Sequence, residues 1–188
     1  MNNPSFIRSL IHGDEQAFKQ LVEQYGSMVY NTVLSIVLQQ QEAEDICQEV
    51  FVQVYHSVSG FNGDAKLSTW LYRIAVNKAL ERERRNKTAK RINSFKKVIG
   101  LGVSEEETVA ELNHPGIRLE QKEQAAVLFS ALKQLPEKQR IAFTLVKTEG
   151  LSYTEVSEVM NTSVASVEGL LHRAKENLRS ILTSYYTS

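Results

Sequence analysis

Two clusters of residues in this chain have the types and the spacing for chemistry, and in both the chemistry is recognition of nucleic acid. The first opens with Ser152-Tyr153-Thr154-Glu155. This is a capping box, in which serine and glutamate satisfy each other's backbone N–H groups, and it starts a short helix after Gly150. Ser163 is placed to cap a second helix, and Asn161-Thr162 makes a tight turn between the two. That is helix-turn-helix spacing. The second helix carries Val164, Val167, Leu171, Leu178 and Leu182 on one face. The opposite face gathers Ser166, Gly169, Arg173 and Asn177, with His172 at its edge, groups able to meet phosphates and base edges in a major groove. An ordinary helical hairpin with a solvated polar face has the same spacing and is the competing reading.

The second cluster lies on an earlier helix, where Arg73, Asn77, Arg84 and Arg91 fall on one side, with Lys66 just before it and Trp70 near its start. Arg82, Arg85, Lys87 and Lys90 add positive charge against Glu81 and Glu83. A basic stripe with an aromatic residue suits a nucleic-acid backbone and an unstacked base. It equally suits a solvated face, and Trp70 fits core packing as well as base contact. A third feature, Asp45, Gln48, Glu49, Val52 and His56, shares the face opposite an apolar stripe of Ala43, Ile46, Val50, Val54 and Val58. A valine amid acids marks either a partner surface or an unremarkable solvated face.

Catalysis finds less support. The four histidines, His12, His56, His114 and His172, are scattered, with no Glu-x-x-His or His-x-x-x-His pair at ligand spacing. No glycine-rich phosphate loop or nucleophile elbow is present. The expectation is no catalytic residue, no metal and no cofactor. The enzymatic alternative is a helical metal-dependent hydrolase using Glu42, Glu44, Asp45 and Glu49.

The elements that must position these groups are helical throughout. Three prolines and nine glycines punctuate 188 residues, and apolar residues recur at three and four rather than two. Phe18, Leu21, Val22, Tyr25, Val29, Val33 and Ile36 form one long stripe that pairs with the Ala43–Val58 stripe as a helical hairpin. A third helix runs from Ser68 to about Ile92. Four more are drawn over Leu119–Leu135, Glu137–Glu149, Tyr153–Met160 and Val164 to about Leu182. Between them, Gly100, Gly102, Pro115 and Gly116 interrupt the periodicity, and charge changes sign from Lys96 and Lys97 to Glu105, Glu106, Glu107 and Glu111. The chain therefore reads as all-α, with two small helical domains, 1–92 and 119–188, joined by a flexible linker, 93–118, and with the helix-turn-helix in the second. Lysine plus arginine and aspartate plus glutamate both number 22, so net charge selects no partner. The 42% apolar content is that of a globular protein. Without an apolar leader or an 18-residue apolar run, a cytoplasmic protein with no direct membrane insertion is expected. Cys47, the single cysteine, excludes an intrachain disulfide and reads as a small buried hydrophobe.

In order along the chain, GDEQAFKQLVEQY, AEDICQEVFVQVY, FNGDAKLSTWLYRIAVNKAL, LPEKQRIAFTLVKTEGLSYTEVSEVM and SVASVEGLLHRAKENL resemble the extracytoplasmic-function sigma factors of bacterial RNA polymerase. The resemblance implies an alternative sigma factor that binds polymerase core, recognises promoter DNA and promotes strand opening. It places Asp45, Gln48, Glu49 and Val52 against core polymerase. It puts Phe61, Lys66, Trp70, Arg73, Asn77 and Arg84 at the minus-ten element, with Phe61 and Asn77 at a pocket for a flipped base. Ser166, Glu168, Gly169, His172 and Arg173 fall at the minus-thirty-five element. An anti-sigma protein is a further expected partner. Three positions depart from the family. Glu168 and Leu170 stand where many relatives have basic residues, and Leu67 replaces a common phenylalanine. Two fewer cations on the reader helix imply weaker binding by that domain and a shallower salt dependence. A stand-alone operator-binding regulator is the remaining alternative, although no coiled-coil heptads supply the dimer such a protein usually needs.

Overall fold

The structure, a computed structural model, describes residues 4–98 and 119–187, with the side chains of 4–92 and 127–183. Asp14 opens the first long helix. Its extended backbone and its carboxylate, which accepts from the N–H groups of Gln16 and Ala17, satisfy two donors that a helix start leaves unpaired. After a short α1 (Pro4–Ile11), this gives α2 (Glu15–Val37), which buries Leu21, Val29, Val33 and Ile36 completely. Leu38 reverses the chain in the left-handed region, at φ 61°, with its N–H donating to Leu34 O. Helix α3 (Gln40–Ser57) then returns antiparallel and buries Ala43, Ile46, Val50 and Val54. A single 3₁₀ turn, Val58–Gly60, leads to α4 (Leu67–Val98), whose Leu71, Ile74, Ala75 and Ala79 close a three-helix core.

Helix α4 outruns the sequence reading by six residues at its C-terminus, into the expected linker. Nothing between Asn93 and Val98 breaks a helix, and the first glycine comes only at Gly100. Residues 99–118 of that linker lie outside the described residues.

The second helical unit is α5 (Leu119–Gln134), α6 (Glu137–Phe143), α7 (Tyr153–Val159) and α8 (Val164–Thr187). The expected single helix over Glu137–Glu149 is instead α6 followed by one wide π turn, Thr144–Thr148, in which Glu149 N–H reaches back to Thr144 O. Such turns widen the spiral by one residue and redirect the chain. Here the turn delivers Glu149, and Gly150 at φ 71° ends it. Ala131, Leu132 and Leu135 of α5 pack on Ala174 and Leu178 of α8.

The two units are docked. Ile141, Leu145, Leu151, Val156 and Leu171 belong to the same apolar cluster as Leu71, Ile46 and Ile36. Polar contacts that cross the junction include Lys66 Nζ to Glu155 Oε1 at 2.7 Å, Tyr72 Oη to Glu149 Oε2 at 2.9 Å, Lys87 Nζ to Glu137 Oε2 at 2.5 Å, and Arg140 Nη2 to Ile36 O at 2.8 Å. The last places a guanidinium on a terminal carbonyl of α2, where the helix dipole favours a cation.

Two predictions follow from this core. Leu71→Ala removes a completely buried side chain and should lower unfolding free energy by about 2–5 kcal/mol in chemical denaturation, with helix content kept. The Glu155 carboxyl lies well below its ordinary 4.5, at about 2, because Lys66 and Ser152 donate to its ionised form. A depressed carboxyl contributes stability that is complete above its unfolded value and is lost as pH falls toward the folded one. The stabilisation from the Glu155 carboxylate should therefore be complete above pH 5, decline as pH falls below about 4.5 and be lost near 2, and NMR titration of the Glu155 carboxyl should give a midpoint near 2. A midpoint near 4.5 would mean that the Lys66 pair is absent in solution.

Candidate nucleic-acid and polymerase interfaces

The helix-turn-helix is built as its residues dictate. Ser152 Oγ accepts from Glu155 N at 3.2 Å while Glu155 Oε2 accepts from Ser152 N at 2.9 Å. Asn161, at φ 48°, makes the turn, and Ser163 Oγ accepts from Ser166 N at 3.1 Å to start α8. Asparagine is among the few non-glycine residues that take this left-handed state readily. Val167, Leu171, Ala174 and Leu178 face inward, while Glu168, His172 and Arg173 are exposed and Ser166 and Gly169 are half-buried.

Three details differ from the sequence reading of this helix. Val164 is 39% exposed rather than core. Asn177 donates to Gln139 Oε1 at 2.8 Å and so ties α8 to α6. Leu170 is 8% exposed and belongs to the core. Of the two cations the reader helix lacks, only the one at Glu168 thus concerns its outer face. The missing side chain at Gly169 leaves room that Arg173 uses. A Cβ there would stand 3.6 Å from Arg173 Nη1, so the guanidinium lies back along the helix over the glycine. His172 Nε2 is 3.5 Å from Glu176 Oε1.

On α4 the basic stripe is real and its aromatic neighbour is partly core. Arg73, Asn77 and Arg84 are exposed, and Trp70 is half-buried. Phe61 is 7% exposed, its ring 5.2 Å from that of Trp70 and tilted by 47°. Arg73 and Asn77 do not face open solvent on all sides. They line a polar cleft of 510 Å³ whose other wall is Ser157, Glu158, Val159, Asn161 and Thr162. Lys66, at the same end of α4, is held by Glu155.

Helix α3 brings Asp45, Gln48, Glu49, Val52 and His56 together on one open groove, as their spacing predicts, and α4 adds Lys78 and Arg82 to its wall. Glu49 is not a free acid. Arg82 holds it at 2.8 Å and Lys78 stands at 3.8 Å, so one carboxylate both fastens α3 to α4 and carries part of the acidic face. Val52 is 57% exposed, and Tyr55, overlooked in the sequence, is 51% exposed beside it. Its signal was the three-residue step from Val52. Tyr55 meets Phe18 and His56 edge to face at 5.3 and 5.7 Å.

The titratable groups at the junction are set by burial. Desolvation raises the Glu149 carboxyl, opposed by the Tyr72 hydroxyl that donates to it, and raises Tyr72 far above its ordinary range. Glu83 is also raised by desolvation, against the pull of Lys87 and Arg140. Burial pushes the Cys47 thiol up to about 11, which leaves it protonated and unreactive. Among the described residues, no group of three or more histidine, cysteine or acidic side chains is placed to hold a metal ion, and no helix is long and apolar enough to cross a membrane.

Comparison with known proteins agrees with this arrangement. Residues 21–89 match the sigma-70 region 2 family and residues 119–178 match sigma-70 region 4. The extracytoplasmic-function RNA polymerase sigma factor SigW of Bacillus subtilis is 30% identical over 94% of each chain. The RNA polymerase sigma-H factor of Pseudomonas aeruginosa is 33% identical over 94% of this chain and 91% of its own. The solved structure of CnrH with the cytosolic domain of CnrY shares the fold at a TM-score of 0.69 and 23% identity, covering 95% of this chain and 96% of that one. The sigma factor RpoE of Bartonella quintana, solved with the anti-sigma factor NepR, does so at 0.66 and 22%, covering 88% and 96%. With a helix-turn-helix in one unit, a basic helix in the other and relatives of this identity along nearly its whole length, the chain belongs to the extracytoplasmic-function group of RNA polymerase sigma factors.

Proposed function

We propose that this initiation factor divides its work among three faces and forms or breaks no covalent bond itself. Core polymerase docks on the α3 groove through Asp45, Gln48, Glu49 and Val52, with Tyr55 extending the apolar centre. The observation that carries this reading is the pairing of an exposed valine and tyrosine with a rim of charge, the anatomy of a protein interface rather than of a solvated face. Domain 1–92 provides this face and the minus-ten contacts, residues 93–118 connect, and domain 119–188 reads the minus-thirty-five element. The protein works in the cytoplasm with its polymerase. A protein of the anti-sigma class restrains it, as NepR accompanies RpoE of Bartonella quintana.

Strand opening follows from differential binding. Unstacking a base costs a few kcal/mol, and stacking on an aromatic ring returns about 1–3 kcal/mol per base. Trp70 and Phe61 supply the rings, Asn77 the hydrogen-bonding edge, and Lys66, Arg73 and Arg84 the cations along the backbone. On the reader helix, Ser166 and Arg173 meet phosphate or guanine, His172 flanks them, and Gly169 admits a close approach. Glu168 can accept from a cytosine amino group, which gives this protein a preference its basic relatives lack.

Transcription in vitro with sigma-free core polymerase and a randomised promoter library tests the whole reading. Initiation dependent on this chain, with two enriched sequence blocks, is expected; DNA binding without initiation would instead indicate a stand-alone regulator. Asp45→Lys should weaken core binding at least tenfold at low salt while leaving the melting curve unchanged. It is a cleaner probe than Glu49, whose reversal would also set three cations together against α4. Unchanged core affinity would remove α3 from the interface. Arg173→Ala should cost about 1–3 kcal/mol at the upstream element and relax its sequence preference. A uniform loss across all sequences would make Arg173 a phosphate contact only.

A further inference from the structure

We infer that the surface of core polymerase that fills the α3 groove is two-signed, presenting a carboxylate to Lys78 of α4 as well as a cation to Asp45; this rests on the reading that core polymerase docks on α3. The sequence of α3 shows only half of the groove. Its two carboxylates, Asp45 and Glu49, stand among neutral residues, so the face reads as acidic. The fold sets a second helix against it. Asn86 of α4 donates to Glu42 at one level, and Arg82 and Lys78 reach Glu49 further along, so α3 and α4 run antiparallel and two cations of α4 form the other wall. Two carboxylates and two cations therefore share one opening, and its net charge selects neither sign of partner.

The two cations are not equivalent. Arg82 Nη2 donates to Glu49 Oε1 at 2.8 Å and is spent on that pair. Lys78 Nζ stands 3.8 Å from the other oxygen, Oε2, outside hydrogen-bond reach. Among the described residues no second carboxylate lies within ion-pair reach of Lys78, and no cation lies within ion-pair reach of Asp45. The Lys78 side chain is 27% exposed and opens into the groove, so a docked partner covers it. A partner bringing only cations would set like charge against Lys78 and bury it with its donors unmet, which costs affinity. A carboxylate at that level turns the same cost into a charge-assisted hydrogen bond. The four-carbon stem lets Nζ swing from Glu49 to that carboxylate while Arg82 keeps Glu49 in place. Opposite signs at Asp45 and Lys78 also fix register, because a segment shifted by one helical turn loses its match to both.

The sign of one substitution tests this. Binding of the full-length protein to sigma-free core polymerase, without DNA, is measured for Lys78→Met, which keeps the stem and removes the charge, and for Lys78→Glu. A partner that brought only cations would bind both variants more tightly, since a repelling charge has gone. A two-signed partner binds both more weakly, by about threefold for Lys78→Met and about tenfold or more for Lys78→Glu, with the Lys78→Met melting curve unchanged. Tighter or unchanged binding of Lys78→Met overturns the inference, and that variant decides the outcome even where Lys78→Glu fails to fold beside Glu49. Zero-length carbodiimide coupling, which joins an amine to a carboxylate in contact, then finds the partner group. In the free protein a peptide joining Lys78 to Glu49 is expected by mass spectrometry, and in the complex one joining Lys78 to an acidic residue of core polymerase. A complex that keeps only the Lys78–Glu49 link overturns the inference. Asp45→Lys separates this inference from the reading beneath it. Weaker binding of Asp45→Lys with tighter binding of Lys78→Met leaves α3 as the interface and removes the two-signed partner; no effect of either variant removes both.

Discussion

Helix α4 carries two demands that conflict everywhere except on an amphipathic helix. Leu71, Ile74, Ala75 and Ala79 are buried and hold α2 and α3 together, while Arg73, Asn77 and Arg84 stay at the surface, where the proposed function has them meet DNA. Every other feature of the amino-terminal unit adjusts to that helix. Glu49 of α3 reaches across to Arg82 and Lys78, so the α3 groove and the basic face of α4 share one ion-pair network. Both sites are then fixed relative to each other by a rigid three-helix core rather than by loops. For a factor that must place a DNA strand against a particular point on a large enzyme, this rigidity is the useful property.

The carboxy-terminal unit depends on α4 as well. Its own core is modest, and much of its apolar surface, including Ile141, Leu145, Leu151 and Val156, belongs to the cluster it shares with the first unit. An Arg140 guanidinium on a helix-end carbonyl and a tyrosine on a half-buried carboxylate add direction to that apolar contact. Neither contact is free of desolvation cost.

Much of this was legible in the sequence because strong local signals were obeyed. The capping box at Ser152–Glu155, the Ser163 cap and the periodic stripes of α2 and α3 each formed as their residue types require. The acidic face of α3 was readable for the same reason, since a helix presents residues 45, 48, 49, 52 and 56 together whatever surrounds it. What escaped was tertiary. Leu170 turned inward and Val164 outward because helix packing, not a net hydrophobic wheel, sets the buried arc of α8. The π turn after Phe143 has no residue signature, and it brings Glu149 to where the Tyr72 hydroxyl donates to it. The docking of the two units was equally invisible, since Lys66–Glu155 and Arg140–Ile36 join residues 89 and 104 positions apart.

The composition of the reader helix bears on why both units are needed. On the proposed assignment, α8, with Glu168 on its outer face and Leu170 in the core, offers Arg173 and a few neutral donors to DNA, which favours few released counterions and weak binding by itself. On the same assignment the α4 stripe has more charge but needs a strand already separated from its complement. Joined through a connection about 70 Å long at most, each raises the effective concentration of the other on the same promoter, so two individually weak contacts become one selective one. The gain exists only when both are extended toward their elements at once.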